Sequence, residues 1–183
     1  MGLGEEIGTE GPRGVSSAQR GIEYHKKIED YLTGKLSDLP SDLDWLVDKL
    51  SFFLENYTVY PEKEIKFDVF GHMITGIPDL IVQKEGLVEI WDYKTGLQSK
   101  EHQNYWLQLN LYAYGLYRLG IQDEQNSIKL VLCYLDEKKV VEKNVSLSSV
   151  KNFVLKYFTL LNSPYFFNKS SCANCDYINI CQR

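Results

Sequence analysis

The chain has no long apolar run and no excess of positive charge. No uninterrupted apolar stretch approaches the roughly 18 residues that a membrane helix needs, and the formal net charge is −5. Proteins that coat nucleic acid without specificity are usually basic. The opening stretch MGLGEEIGTEGPRG lacks the basic start and the apolar core of a secretory signal. We therefore expect a cytoplasmic protein without a membrane contact.

Cysteine is scarce and unevenly placed. The chain has four cysteines and none before Cys133; the other three are Cys172, Cys175 and Cys181. Their C-x2-C-x5-C spacing suits metal ligation better than a disulfide framework, which would also need an oxidising compartment. The pattern favours a metal site in the tail.

The remaining composition is that of one ordinary globular domain. The chain has 183 residues, of which 44% are hydrophobic and 25% charged, enough to bury a real core. Residues 1–15 carry five glycines and a proline, so we expect a flexible N-terminal segment. We expect a single domain over residues 16–168 and a cysteine-containing tail over 169–183, packed on that domain.

Hydrophobic periodicity predicts an α/β fold. Helical spacing of apolar residues predicts four long helices, and period-two alternation predicts a meander of about three strands that turns at Phe70-Gly71-His72. A strand hairpin turning at Asp136-Glu137 precedes the last helix. The order ααβββαββα implies a central mixed β-sheet flanked by helices.

Three ionisable residues interrupt two strands that otherwise look buried. Asp79, Asp92 and Lys94 lie within the stretch GIPDLIVQKEGLVEIWDYKTG. A carboxylate in an apolar strand is costly unless it is paired or binds metal. Asp79 and Asp92 lie on neighbouring strands, so they can converge, and a divalent cation would remove their mutual repulsion. Hard oxygen ligands favour Mg²⁺ or Mn²⁺ over Zn²⁺.

The lysine adds a second chemical function to this pair. Lys94 follows Asp92 by two residues, which is the side-chain period of a strand, so both side chains point to the same side. An amine beside a metal-bound water can accept its proton, which suits attack on a phosphodiester. An Asp and a Lys two residues apart are also common on solvated strand edges, so this pair alone is weak evidence.

The order of these residues resembles the PD-(D/E)XK nuclease superfamily, with Pro78-Asp79 on one strand and Asp92-Tyr93-Lys94 on the next. The helix RGIEYHKKIEDYL and the later QLNLY narrow the resemblance to the RecB-type exonuclease branch, which includes the AddB nuclease domain and CRISPR-associated RecB-like exonucleases. The resemblance implies a restriction-endonuclease-like core.

The resemblance also implies an active site. Mg²⁺ or Mn²⁺ would be held by His25, Asp79, Asp92 and the backbone carbonyl of Tyr93, while Lys94 would orient or deprotonate the attacking water. The Q-x-x-x-Y motif puts Gln108 and Tyr112 at the border of this site, where they would help to hold Lys94 or a phosphate.

Plainer interpretations of the same residues stay open. A single histidine on a helix is usually a surface or core-edge residue, and Tyr112 also fits a core stripe with Tyr105 and Leu109. Glu64 is a weaker candidate on a strand that looks solvated. Arg20, Lys26 and Lys100, with Lys27, Lys63 and Lys66, could line a groove for a phosphate backbone, or could simply form a scattered charged surface.

The cysteine tail departs from the family pattern. RecB-type proteins with iron–sulfur clusters carry this C-terminal triplet and one further cysteine before the first helix, where this chain has none. A [4Fe–4S] cluster would therefore need Cys133 or another ligand. Zinc and unligated thiols remain alternatives. Cys133 lies in the middle of a predicted strand, which favours a buried structural thiol.

The function implied by the resemblance is metal-dependent hydrolysis of DNA. We expect an exonuclease that acts on single-stranded or end-containing DNA in recombination, repair or replication. A homo-oligomer, or a helicase or recombination partner, is left open. Two alternatives are a nuclease-like module that binds nucleic acid or a partner without cutting, and a structural metalloprotein whose cysteine site is its only metal site.

Overall fold

The computed structural model describes residues 17–95, 103–122 and 126–161. Some of the sequence predictions lie outside these ranges. They are the flexible segment 1–15, the proposed DNA contact Lys100, and the tail with Cys172, Cys175 and Cys181.

Two helices precede a run of five strands, and two further strands lie between the last two helices. The described helices are α1 (Ser17–Leu32), α2 (Val47–Asn56), α3 (Gln103–Arg118) and α4 (Leu147–Leu161), and a short 3₁₀ turn at Asp44–Leu46 leads into α2. The described strands are β1 (Thr58–Pro61), β2 (Ile65–Val69), β3 (His72–Gly76), β4 (Leu80–Lys84), β5 (Leu87–Lys94), β6 (Ser127–Tyr134) and β7 (Lys139–Val145). None of the described helices has the length and apolar character needed to cross a bilayer.

A mixed five-stranded sheet forms the centre of the domain, which confirms the predicted fold class. Its order is β1-β4-β5-β6-β7, with β5 and β6 parallel and the other neighbouring pairs antiparallel. The β5–β6 crossover runs through α3, as parallel neighbours require. Strands β2 and β3 form a separate antiparallel hairpin, called here the β2–β3 hairpin.

The predicted meander of three strands is wrong in number, because five strands precede α3. After Pro61 the chain turns at Glu62, whose φ of 47° ends β1, and Pro78, which has no N–H to donate, separates β3 from β4. Strand β1 pairs directly with β4. The β2–β3 hairpin is thereby excluded from the main sheet and packs on α3 instead.

The two faces of the sheet bury separate cores. Helices α3 and α4 and the β2–β3 hairpin cover one face, whereas α1 and α2 cover the other. Strand β5 contributes to both because its side chains alternate, with Ile90 facing α3 and Trp91 facing α2. The Trp91 ring meets the Phe53 ring edge to face, with centroids 5.6 Å apart. Strand β5 is therefore held from both sides.

Cys133 belongs to the core on the α1 and α2 side. Its side chain is fully buried within β6, and burial raises the pKa of the thiol to about 12. A thiol in this setting packs as a small apolar group. The burial supports the interpretation of Cys133 as a structural thiol rather than a cluster ligand.

The β2–β3 hairpin approaches α3 closely at Gly115. A Cβ atom at this position would lie 2.5 Å from Cε1 and 2.6 Å from Cδ1 of Phe67. The missing side chain therefore lets the aromatic ring of β2 rest on the helix backbone. Glycine has here a packing role that outweighs its low helix propensity.

Gly115→Ala should therefore destabilise the protein, although alanine is better than glycine inside a helix by about 1 kcal/mol. The overpacking should cost ~1–3 kcal/mol, measured as a lower free energy of unfolding in urea. In a Phe67→Leu background the loss should shrink, because the ring that the new methyl group meets is gone. A Gly115→Ala variant that is more stable than the wild type would contradict this packing.

Candidate active site

Asp79 and Asp92 meet where β4 begins and β5 ends. Leu80 pairs with Trp91 in the antiparallel ladder, so the residue before Leu80 lies beside the residue after Trp91. The Asp79 carboxylate accepts a hydrogen bond from the backbone N–H of Tyr93, with Oδ2 and N 2.5 Å apart. The register thus brings the two residues to the same end of the sheet, where the charge of Asp79 acts on the Asp92 carboxyl.

Helix α1 brings His25 to the same place. Its Nδ1 lies 3.3 Å from Asp79 Oδ1, and its Nε2 lies 3.2 Å from the carbonyl oxygen of Tyr93. Burial alone would lower the pKa of this imidazole, but the hydrogen bond to Asp79 and its charge outweigh that effect, and the net shift is upward.

The position of His25 follows from the packing of α1. Ile28, one turn later, is fully buried against the sheet. Gly21, one turn earlier, lets the helix approach the end of β5, because a Cβ atom there would lie 3.1 Å from Thr95 Oγ1. The helix face that carries His25 is therefore pressed against the end of β5.

Glu62 completes this cluster and was missed by the sequence analysis. His25, Glu62 and Asp79 each offer a ligand atom, and these atoms lie within 4.8 Å of one another. The backbone N–H of Glu62 also donates to the carbonyl of Asp79 at 3.1 Å, which ties the two segments together. Burial, and then repulsion from Asp79, raise the pKa of Glu62 to about 7. Glu64, the weaker candidate from the sequence, instead points outward and pairs with Lys66 at 2.9 Å.

Asp92 and Lys94 face the α3 side of the sheet end. Lys94 Nζ lies 2.5 Å from Asp92 Oδ2, which confirms that the two side chains share one side of β5. The Asp92 side chain is almost completely buried, and burial raises the pKa of this carboxyl to about 6, although Lys94 acts in the opposite direction. The ammonium group of Lys94 also lies 4.6 Å from the centre of the Tyr105 ring.

Gln108 and Tyr112 contact the segment that leads to Asp79. Gln108 Nε2 donates to Tyr112 Oη at 2.7 Å, and the backbone N–H of Ile77 is also bonded to this hydroxyl. The Tyr112 ring packs against Gly76, where a Cβ atom would lie 2.5 Å from its Cε1 atom. The pair therefore fixes the chain just before Pro78-Asp79, while the ring of Tyr105, also on α3, lies under the Lys94 ammonium group.

Two of the three α1 cations proposed for a DNA groove, Arg20 and Lys26, are paired with carboxylates of the protein. Arg20 lies 2.7 Å from Asp136 in the turn between β6 and β7. Lys26 lies 3.0 Å from Glu29 and 3.1 Å from Asp30 on its own helix. These ion pairs partly neutralise the positive charges of Arg20 and Lys26, which lie on the α1 side of the site.

The donor set fits a hard divalent cation. His25, Glu62 and Asp79 offer ligand atoms within 4.8 Å of one another, the backbone carbonyl of Tyr93 lies beside His25, and the Asp92 carboxyl is close enough to feel the charge of Asp79. Such a set favours Mg²⁺ or Mn²⁺, the latter because of the nitrogen ligand. Burial, and then repulsion from Asp79, raise the pKa values of Glu62 and Asp92, and a bound cation would offset both effects.

Two solved structures are similar to parts of the chain. The "Putative exonuclease" from Eubacterium rectale is 11% identical, with a TM-score of 0.49 over 81% of this chain and 67% of that chain. The protein SSO0001 is 21% identical, with a TM-score of 0.39 over 88% of this chain and 80% of that chain. Likeness at this level does not bear on activity. No curated protein matches the sequence significantly.

The family is established by a sequence profile instead. The profile of the PD-(D/E)XK nuclease superfamily matches residues 8–182, which include every residue of the site described above. The match agrees with the mixed sheet and with the Asp79, Asp92 and Lys94 set at its end. The chain therefore belongs to the PD-(D/E)XK nuclease superfamily.

Proposed function

We propose that the protein is a divalent-metal-dependent deoxyribonuclease of the RecB type. It acts as an exonuclease on DNA that is single-stranded or has a free end. The observation that carries the proposal is the convergence of His25, Asp79, Asp92 and Lys94 at the end of β5, in a chain of a nuclease superfamily.

The proposed metal ligands come from several helices, strands and turns. His25, Glu62, Asp79 and Asp92, with the Tyr93 carbonyl, would hold Mg²⁺ or Mn²⁺. When bound, the cation supplies electrophilic stabilisation of the phosphate and a more acidic water. Asp79 is kept in place by the N–H of Tyr93 on one side and by the segment that Tyr112 fixes on the other.

Lys94 acts on the attacking water and the phosphate. Its ammonium contacts Asp92 and lies over the Tyr105 ring, so both the direction and the reach of the side chain are restricted. A positioned amine of this kind orients the water or takes its proton, and it stabilises charge that develops on the phosphate. A module that only binds nucleic acid would have no use for this set.

Purified protein should degrade end-labelled single-stranded DNA with Mn²⁺ or Mg²⁺ and not with a chelator. Asp92→Asn should lose cleavage while it stays folded. Lys94→Ala should bind metal normally but cleave about 10²–10⁴-fold more slowly, the usual effect of losing a positioned acid–base group.

His25→Ala should bind Mn²⁺ more weakly, and its cleavage should partly recover at high Mn²⁺.

Lys84→Ala serves as the control, because Lys84 is exposed at the far end of β4. Absence of metal-dependent cleavage of any labelled strand would reject the nuclease function. Recovery of wild-type rate by Lys94→Ala at saturating Mn²⁺ would instead make Lys94 a positioning residue of the metal site.

Glu62→Gln should stabilise the metal-free protein. Because folding raises the pKa of Glu62 from 4.5 to about 7, its contribution to stability is full below pH 4.5 and is lost as the pH rises through 7. The variant's gain should thus be larger at pH 8 than at pH 5. We expect a rise in Tm of about 2–4 °C at pH 8, or ~1 kcal/mol, by calorimetry without metal.

Glu64→Gln is the matched control, since Glu64 is exposed and two residues away. It should leave both the metal-free Tm and the stabilisation by Mn²⁺ unchanged, whereas Glu62→Gln should reduce that stabilisation. Equal behaviour of the two variants would remove Glu62 from the metal site.

A further inference from the structure

A second concave surface lies between α3 and α4, on the part of α3 farthest from Lys94. It has a volume of about 660 Å³ and is called here the α3–α4 groove. The residues that shape it are Phe70, Tyr114, Tyr117, Arg118, Lys151 and Leu155. Phe70 comes from the tip of the β2–β3 hairpin, so the groove is bounded by three elements.

Aromatic rings form much of this groove. The ring centroids of Tyr114 and Tyr117 are 6.3 Å apart. Phe70 is 54% exposed although it is large and apolar, and it sits in a turn with a φ of 52°. An exposed phenylalanine held at a positive φ is uncommon, and exposed apolar groups next to a groove are typical of a binding surface.

Two cations accompany the rings. Lys151 Nζ lies 4.0 Å from the centre of the Tyr117 ring, and Arg118 donates to the Tyr114 hydroxyl at 3.4 Å. Asp68 lies 4.0 Å from Arg118 and is itself 41% exposed. Among the described residues that line the groove none is acidic, although the chain as a whole carries a net charge of −5.

Lys151 also borders the first turn of α4. A smaller pocket of about 400 Å³ is lined there by Ser146, Ser148, Asn152 and the same Lys151. Ser146 caps the helix, since its Oγ accepts the N–H of Ser149 at 3.2 Å. A helix N-terminus carries partial positive charge and free N–H groups, which adds to the attraction that Lys151 and Arg118 exert on an anion.

We propose that the α3–α4 groove binds a single strand of nucleic acid. Unpaired bases pack on the aromatic rings, and phosphates lie at Arg118, Lys151 and the first turn of α4. Aromatic platforms interleaved with cations are the usual means of holding single strands, and a duplex would hide the base faces. The two cations and the first turn of α4 give the groove the positive character that suits a phosphate backbone.

The groove would hold nucleotides away from the scissile bond, and this part of the inference rests on the proposed function. Tyr105, which touches Lys94, and Arg118 are both on α3, and a rise of 1.5 Å per residue puts them about 20 Å apart. A stacked strand covers that distance with about six nucleotides at 3.4 Å each. Strands of four nucleotides that reach Lys94 are therefore too short to reach the groove.

Charge reversal tests the proposal by direct binding. Arg118→Glu and Lys151→Glu should each weaken binding of a fluorescent 12-nucleotide single strand about ten- to hundredfold, the range for losing a hydrogen bond between charged groups. The measurement is fluorescence anisotropy in the presence of a chelator. Lys156→Glu, on the same helix but exposed and outside the groove, should change the affinity less than twofold.

The chelator separates this inference from the proposed nuclease function, because binding is measured without cleavage. If the wild-type protein cuts no DNA but Arg118→Glu and Lys151→Glu still weaken binding of the 12-nucleotide strand, the proposed nuclease function is rejected and strand binding by the groove is retained. Where cleavage occurs, Arg118→Glu should lower kcat/KM for the 12-nucleotide strand and leave that for a 4-nucleotide strand unchanged.

Photocrosslinking locates the strand without any substitution. A strand that carries 5-iodouracil should crosslink to Phe70, Tyr114 or Tyr117 of the wild-type protein. Equal affinities of the Arg118→Glu, Lys151→Glu and Lys156→Glu variants, or crosslinks confined to other residues, would overturn the proposal. Stronger competition by polyglutamate than by an unlabelled strand would assign the groove to an acidic peptide and would also overturn it.

Discussion

The crowding of carboxylates at the end of β5 is the constraint on which the rest of the site depends. Asp79 and Asp92 lie side by side because the β4–β5 register puts them there, and Glu62 joins them through a backbone bond to Asp79. The fold relieves this repulsion only in part, with His25 on one face of the sheet and Lys94 on the other. A divalent cation would offset the remaining repulsion between the carboxylates, and this supports the donor set as a metal site.

The surrounding elements serve mainly to keep these charges together. Helix α1 is pressed on the end of β5 through Gly21 and so presents His25. Helix α3 acts on both the acidic and the basic residues of the site. Tyr112 fixes the chain before Asp79, and the Tyr105 ring lies beside the Lys94 ammonium group. The far half of α3 supports the α3–α4 groove, so one helix links the candidate site for cleavage with the surface proposed for strand binding.

Several of these features follow from the sequence because they depend on local periodicity. The spacing of Asp92 and Lys94 determines that they share a side, and the two strands that carry Asp79 and Asp92 are adjacent in the chain. Glu62 escaped notice because it lies in a turn with a positive φ, outside any alternating pattern. The pairing of Arg20 with Asp136 links residues far apart in the chain. The alternation of apolar and polar residues predicts strands but not their partners, so it could not show that the β2–β3 hairpin lies outside the main sheet.

The central claim is that the cluster of His25, Glu62, Asp79 and Asp92 binds a divalent cation. The most direct test is calorimetric titration of the protein with Mn²⁺ at pH 6, in buffers of different ionisation enthalpy. Because the pKa values of Glu62 and Asp92 are about 7 and about 6, binding should release on the order of one proton or more per site. His25→Ala should weaken the binding, and Glu62→Gln should reduce the proton release. The absence of saturable Mn²⁺ binding, or binding with no proton release, would contradict the account.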